Sequence, residues 1–210
     1  MTHTDPASML GGTRIVPVLT VPDTTTAAPL AEALAAGGAQ CAEVAFRTPD
    51  AEQVLKAMAA HGGLTVGAGT VLTAEQAERA VAAGARFVVS PGFDDEVIVK
   101  CRELGVPVIP GIATATELMR ALRAGLDTVK LFPAEALGGL ATLRALSAPF
   151  PQARFVPTGG IRAERLADYL AEPSVLAVGG SWLATPAHLA AGDYATVRRL
   201  TAEAVEKSTP

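Results

Sequence analysis

The chain has 210 residues, of which 50% are hydrophobic and 18% charged: ample material for a packed core and too apolar for a disordered segment. With 21 acidic residues against 17 basic ones it carries a net charge of −4, and only 4% of residues are aromatic, so neither a basic stripe nor a stacking surface for nucleic acid is provided. Cys41 and Cys101 lie far apart and His3, His61 and His188 are scattered, which argues against a disulfide framework and against a metal site.

Residues 1–13 contain no basic segment followed by an apolar run, so no secretory signal is visible, and they read as a flexible lead-in. Two uncharged stretches, 57–74 and 173–192, are cut by glycines, and the second also holds Pro173 and Pro186; a bilayer helix is not written that way. The expectation is a reduced, cytoplasmic protein with no membrane or nucleic-acid partner.

From Arg14 onward short apolar runs alternate with Ala/Leu-rich stretches of helical spacing. Strands are predicted at 15–21, 39–46, 64–69, 87–90, 106–110, 128–132, 155–158 and 175–178. Helices are predicted near 24–36, 50–60, 74–83, 94–104, 115–124, 140–147 and 162–170, with a closing pair near 186–190 and 193–206. Thr24, Asp94 and Thr114 stand where N-caps are wanted, and Thr73 with Gln76 forms a capping-box pattern. Gly37, Gly84, Gly105 and Gly125 mark helix ends.

Strands that are apolar on both faces and separated by helices imply a parallel sheet covered by helices. A repeat of about 25 residues is one βα unit, and a closed (β/α)8 TIM barrel begins near 200 residues. The rival, an open doubly wound sheet, wants a glycine-rich loop after the first strand, and Val21-Pro22-Asp23-Thr24 has no glycine. A single-domain α/β barrel over 14–210 is therefore expected, with its site at the C-terminal strand ends.

Polar groups inside or just after strands are few. Lys130 sits among Val129, Leu131 and Phe132, and strand alternation turns it into the barrel. Burial disfavours an ammonium, and a neutral amine is what adds to a carbonyl; the alternative is a lysine held in a structural ion pair. Glu43 and Arg47 share a strand face with small Cys41 and Ala45, leaving room for a ligand. The carboxylate suits proton transfer and the guanidinium suits a substrate carboxylate, unless the two only pair with each other. Gly159-Gly160 after the seventh strand and Gly179-Gly180 after the eighth fall where this fold binds phosphate. Thr70 and Ser90-Pro91-Gly92 close strands three and four, whereas Pro110-Gly111-Ile112 reads as turn chemistry.

Six segments taken together, Glu43-Val44-Ala45-Phe46-Arg47-Thr48, Gly67-Ala68-Gly69-Thr70-Val71-Leu72, Ser90-Pro91-Gly92, Lys130-Leu131-Phe132-Pro133-Ala134-Glu135, Pro157-Thr158-Gly159-Gly160-Ile161 and Gly179-Gly180-Ser181-Trp182-Leu183, resemble one family. It is that of the class I pyruvate aldolases acting on 2-keto-3-deoxy-6-phosphogluconate (KDPG), also described as 4-hydroxy-2-oxoglutarate aldolases. The resemblance implies that Lys130 is the Schiff-base lysine and Glu43 the general acid/base. It implies that Arg47 and Thr70 hold the pyruvate end, that Pro91 and Phe132 wall the reacting carbon, and that Thr158 contacts substrate. Gly159, Gly160, Gly180 and Ser181 would form the phosphate pocket. A homotrimer that needs no metal or other cofactor is implied as well, with a phosphorylated 2-keto-3-deoxy sugar acid and pyruvate as its small-molecule partners. Ala45 and Leu137 depart from the family's usual Thr and Asn. Arg47-Thr48 favours a gluconate-type substrate over its galactonate epimer.

Overall fold

The structure, a computed structural model, describes Ala7 and residues 12–208; most of the expected lead-in lies outside the described residues. Its elements in chain order are β1 Ile15–Leu19, α1 Ala27–Ala36, β2 Cys41–Ala45, α2 Ala51–His61, β3 Thr65–Gly69, α3 Ala74–Ala82, β4 Val88–Val89 and α4 Asp95–Glu103. Then follow β5 Val108–Ile109, β6 Gly111–Ile112, α5 Ala115–Arg123, β7 Thr128–Leu131, α6 Leu140–Ser147, β8 Arg154–Phe155, α7 Leu166–Leu170, β9 Val178–Gly180, α8 Pro186–Ala190 and α9 Tyr194–Ser208.

All strand pairings are parallel. One run of neighbours is β5-β4-β3-β2-β1-β9 and the other β6-β7-β8. The two runs join at both seams. β5 and β6 are halves of one strand interrupted at Pro110, which has no N–H to give to a ladder, although its carbonyl still accepts from Lys130 N at 2.9 Å. At the other seam single bridges, Phe155 to Val175 and Thr158 to Gly179, carry β8 to the strand that ends in β9. The sheet thus closes into the expected (β/α)8 barrel.

Two apolar layers fill it. The larger lies between strands and helices, with Leu30, Leu34, Val44, Val54, Val129 and Leu131 among its buried members. The smaller plugs the barrel interior: Val16, Cys41, Phe87, Val89, Ile109, Val156 and Ala177. Phe87 needs a glycine opposite, since a Cβ at Gly67 would stand 2.3 Å from its ring. With these side chains packed inside, the barrel is a filled core rather than a pore, and the fold's open end is the C-terminal end of the strands.

Local chemistry explains most helix starts. Asp94 accepts from Val97 N at 2.9 Å, and Thr114 with Glu117 forms a reciprocal capping box. Thr73 accepts from Gln76 N, but Gln76 reaches back to Leu72 N at 2.7 Å rather than to Thr73. Two further expectations are corrected. The helix expected from residue 24 begins as a 3-10 turn, Thr24–Thr26, capped by Asp23, whose carboxylate accepts from Thr25 N and Thr26 N; Thr24 is inside the turn. At the end of α1 the left-handed glycine is Gly38 (φ 89°). Gly37 is the C-cap of α1, as expected, and also serves close packing, because a Cβ there would lie 2.6 Å from Thr201 Cβ of α9. Pro110-Gly111-Ile112 is not a turn: Gly111 and Ile112 form β6.

Candidate active site

Parallel strands bring their C-terminal ends to one rim, and the polar residues singled out from the sequence gather there. Lys130, on β7, is 3% exposed, as is Glu43 on β2. The Lys130 Nζ donates to Glu43 Oε1 at 3.1 Å across the barrel interior. It also lies 5.3 Å from the centroid of the Phe132 ring. Among the described residues Glu43 is its one hydrogen-bond acceptor, although an ammonium has three donors. The predicted functional pair and the alternative of a structural ion pair are thus one geometry. What separates them is the free hydrogen-bonding capacity of the amine and its place below the rim.

Glycines make the pair possible. Glu43 lies across Gly69 of β3, where a Cβ would come within 2.0 Å of Oε1. On the other side Gly111 is the Cα partner of Lys130, and a Cβ there would collide with the Pro91 carbonyl at 2.1 Å. Pro91, half-buried after β4, can therefore approach the lysine strand. Ser90 fixes this corner by donating its hydroxyl to the Gly92 carbonyl at 2.7 Å. Sequence reading took Gly69 and Gly111 as turn or strand-end residues. Gly111 is in register with Lys130, whereas Gly69 pairs with Ala45, two residues beyond Glu43, so pairing alone marks only the first of the two glycines.

Arg47 and Thr70 are brought together as the sequence suggested. The exposed guanidinium donates through Nε to Thr70 Oγ1 at 3.0 Å. Thr70 has φ 57° and is the only non-glycine at positive φ among the described residues, a strained backbone of the kind that clusters at functional sites. Thr48, by contrast, donates to the Val21 carbonyl at 3.0 Å, which ties two strand ends together. The sites of the two departures differ: Ala45 is buried in β2, and Leu137 is half-buried against the outer core.

On the opposite side of the rim, Thr158 is buried and donates to the Val156 carbonyl at 3.3 Å. Its hydroxyl lies over Gly179, where a Cβ would meet Oγ1 at 2.1 Å. Gly159 and Gly160 have successive positive φ values, 101° and 80°, which only glycine adopts without cost. Phe132 and Pro133 cover Gly159, where a Cβ would lie 3.2 Å from each. The eighth-strand reading needs correcting. Gly179 and Gly180 do not follow the strand but belong to β9, because the ladder begins three residues later than the apolar run suggests. Gly180 is buried under the Trp182 ring, and Ser181 stands exposed just beyond it.

Cys41 lies on the same strand face, one step deeper than Glu43. Burial, then the Glu43 charge, pushes its thiol up to about 12, so it stays protonated at neutral pH and acts as an apolar filler. Among the described residues no group of three or more His, Cys, Asp or Glu side chains converges as metal ligands.

Comparison with known proteins bears on this arrangement. The family model described as "Aldolase: KDPG and KHG aldolase" matches residues 7–200. The chain belongs to the KDPG and KHG aldolase family. It is 50% identical over 194 residues to the 2-dehydro-3-deoxy-phosphogluconate aldolase of Treponema pallidum, covering 92% of each chain. It is 45% identical over 204 residues to the KHG/KDPG aldolase of Escherichia coli, covering 97% of this chain and 96% of that one. Among solved structures, the KDPG aldolase of Legionella pneumophila superposes with a TM-score of 0.92 at 38% identity, covering 96% of this chain and 98% of the other. That protein was captured with pyruvate as a covalent carbinolamine intermediate. A carbinolamine is the adduct of an amine and a carbonyl, the step for which a shielded lysine beside a carboxylate is suited.

Proposed function

We propose that this family member is a Schiff-base aldolase that cleaves KDPG to pyruvate and glyceraldehyde 3-phosphate, and 4-hydroxy-2-oxoglutarate to pyruvate and glyoxylate. The observation that carries the reading is the buried Lys130–Glu43 pair at 3.1 Å. Family membership supports the same reaction.

Lys130, as the neutral amine, adds to the C2 ketone, and loss of water from the carbinolamine leaves an iminium. Glu43, through a water, takes the proton of the C4 hydroxyl. The C3–C4 bond breaks, its electrons pass to the iminium to form an enamine, and the aldehyde departs. Glu43 then protonates the enamine carbon, and water hydrolyses the pyruvate iminium to release pyruvate and the free amine. Arg47 and Thr70 hold the carboxylate end, Pro91 and Phe132 flank the reacting carbon, and Thr158 contacts the substrate. Gly159, Gly160, Gly180 and Ser181 take the phosphate and so hold the scissile bond in place relative to the amine.

Residues 14–210 act as one barrel domain in this reading. We place the enzyme in the cytoplasm, supported by two buried free cysteines; no helix among the described residues is long and apolar enough to cross a membrane. A homotrimer is proposed too. Leu72, Val99 and Met119, large apolar side chains left exposed, lie on or beside three consecutive outer helices, the kind of surface that association covers. Light scattering measures the stoichiometry.

The decisive assay supplies purified protein with KDPG and follows pyruvate release in the presence of a strong chelator. Sustained pyruvate production supports the imine route. Loss of activity on chelation, with recovery on adding a divalent cation, would contradict it.

A further inference from the structure

The segment after the lysine strand is tied down by a buried bond outside the reacting centre. Tyr169, in α7, is fully buried, and its hydroxyl donates to Glu135 Oε1 at 2.6 Å. Burial, and after it the hydrogen bond and charge of Glu135, raise the phenol well above its ordinary range, so it remains a donor at any physiological pH. Glu135 belongs to the loop that carries Phe132 away from Lys130. Its backbone N–H donates to the Gly159 carbonyl at 3.0 Å, and that of Ala134 to the Thr158 carbonyl at 2.8 Å. Its side chain also covers Gly160, where a Cβ would lie 2.9 Å from Glu135 Cβ. Gly139 at the far end of the loop is pressed against the same bond, since a Cβ there would sit 3.0 Å from the Tyr169 hydroxyl.

The loop bearing Phe132 and the double-glycine turn are therefore one unit, tied to α7 by the Tyr169–Glu135 hydrogen bond and to α6 by the Thr142 hydroxyl, which donates to the Leu137 carbonyl. We infer that Tyr169 and Glu135 are positioning residues for phosphorylated substrates, setting the span between the Lys130 amine and the Gly159–Gly160 turn. The inference rests on the aldolase reading above. A substrate long enough to touch both ends depends on that span. 4-Hydroxy-2-oxoglutarate, which is shorter and has no phosphate, does not.

Steady-state kinetics on both substrates, with pyruvate trapping by borohydride alongside, test this. Tyr169→Phe removes only the donor and is expected to raise KM for KDPG by about tenfold, the effect of losing one hydrogen bond to a charged group. Its kcat, its parameters for 4-hydroxy-2-oxoglutarate and its trapping should stay within about twofold of the parent. Glu135→Ala, which removes the acceptor, should show the same split, and it decides the matter if Tyr169→Phe does not fold. Glu135→Gln keeps an acceptor oxygen and should restore KM for KDPG to near the parent value. Equal losses on both substrates, or a Gln variant as impaired as the Ala variant, would overturn the inference while leaving the aldolase reading intact. A parent enzyme inactive on both substrates would instead contradict that reading.

Discussion

The two ends of the barrel present similar raw material to different effect. At the N-terminal end of the strands a cavity of about 390 Å³ is lined by Arg14, Arg154, Glu172, Val175 and Leu176 among others. It has depth and charge, yet two of its charged groups, Arg14 and Glu172, serve the chain itself. Arg14 donates to the Val175 carbonyl at 2.7 Å and to the Leu176 carbonyl at 3.2 Å, and Glu172 holds Arg144. At the C-terminal end Lys130 and Glu43 are more deeply buried, but each is left with unused hydrogen-bonding capacity facing the rim. Size of a hollow does not mark chemistry; buried charge whose partners do not satisfy it does.

Substitutions can break this contrast. The largest effect is expected from Lys130→Ala, which should lower kcat for cleavage by about 10⁴-fold or more because the covalent route is lost. Glu43→Gln should still form the pyruvate imine but slow proton exchange at the pyruvate methyl by about 10²–10⁴-fold, measured by deuterium uptake. Exchange at the parent rate would mean that Glu43 has another role. Gly69→Ala sharpens the geometry without touching a charge. Its Cβ would displace the Glu43 carboxylate, and kcat should fall by about tenfold or more, with a stability loss of about 1–3 kcal/mol from overpacking. At the opposite end, Arg14→Ala should cost about 1–3 kcal/mol by leaving two carbonyls without a donor. Its kcat/KM should match the parent, as calorimetry beside the cleavage assay would show. A catalytic defect there would dissolve the distinction between the ends.

The same contrast explains what could be seen in the sequence. Lys130 and Glu43 were legible because a charge inside an apolar, period-two run has few places to go but inward. The helices were legible to within a few residues because their caps are local chemistry, as at Asp94 and Thr114. What could not be read depends on neighbours distant in the chain. Gly69 and Gly111 look like ordinary glycines until Glu43 and Pro91 are set against them. Gly179 and Gly180 resemble a loop in composition, yet they continue a strand because Val16 and Pro17 of β1 pair with them. The fifth strand's break at Pro110 was masked for a similar reason: its glycine suggested a turn, and only the β7 partner keeps the chain extended beyond it. Tyr169 gave no hint of a role, since a tyrosine in a short helix is ordinary until its hydroxyl is found on Glu135.

The central claim is that the amine of Lys130 joins covalently to a 2-oxo acid. The chain has three other lysines, Lys56, Lys100 and Lys207, so the site of attachment can be read directly. Incubation with pyruvate and borohydride, followed by intact mass and peptide mapping, should find one reduced pyruvate per chain, located on Lys130. An active preparation that gains no mass, or gains it on another lysine while Lys130 stays unmodified, would contradict the account.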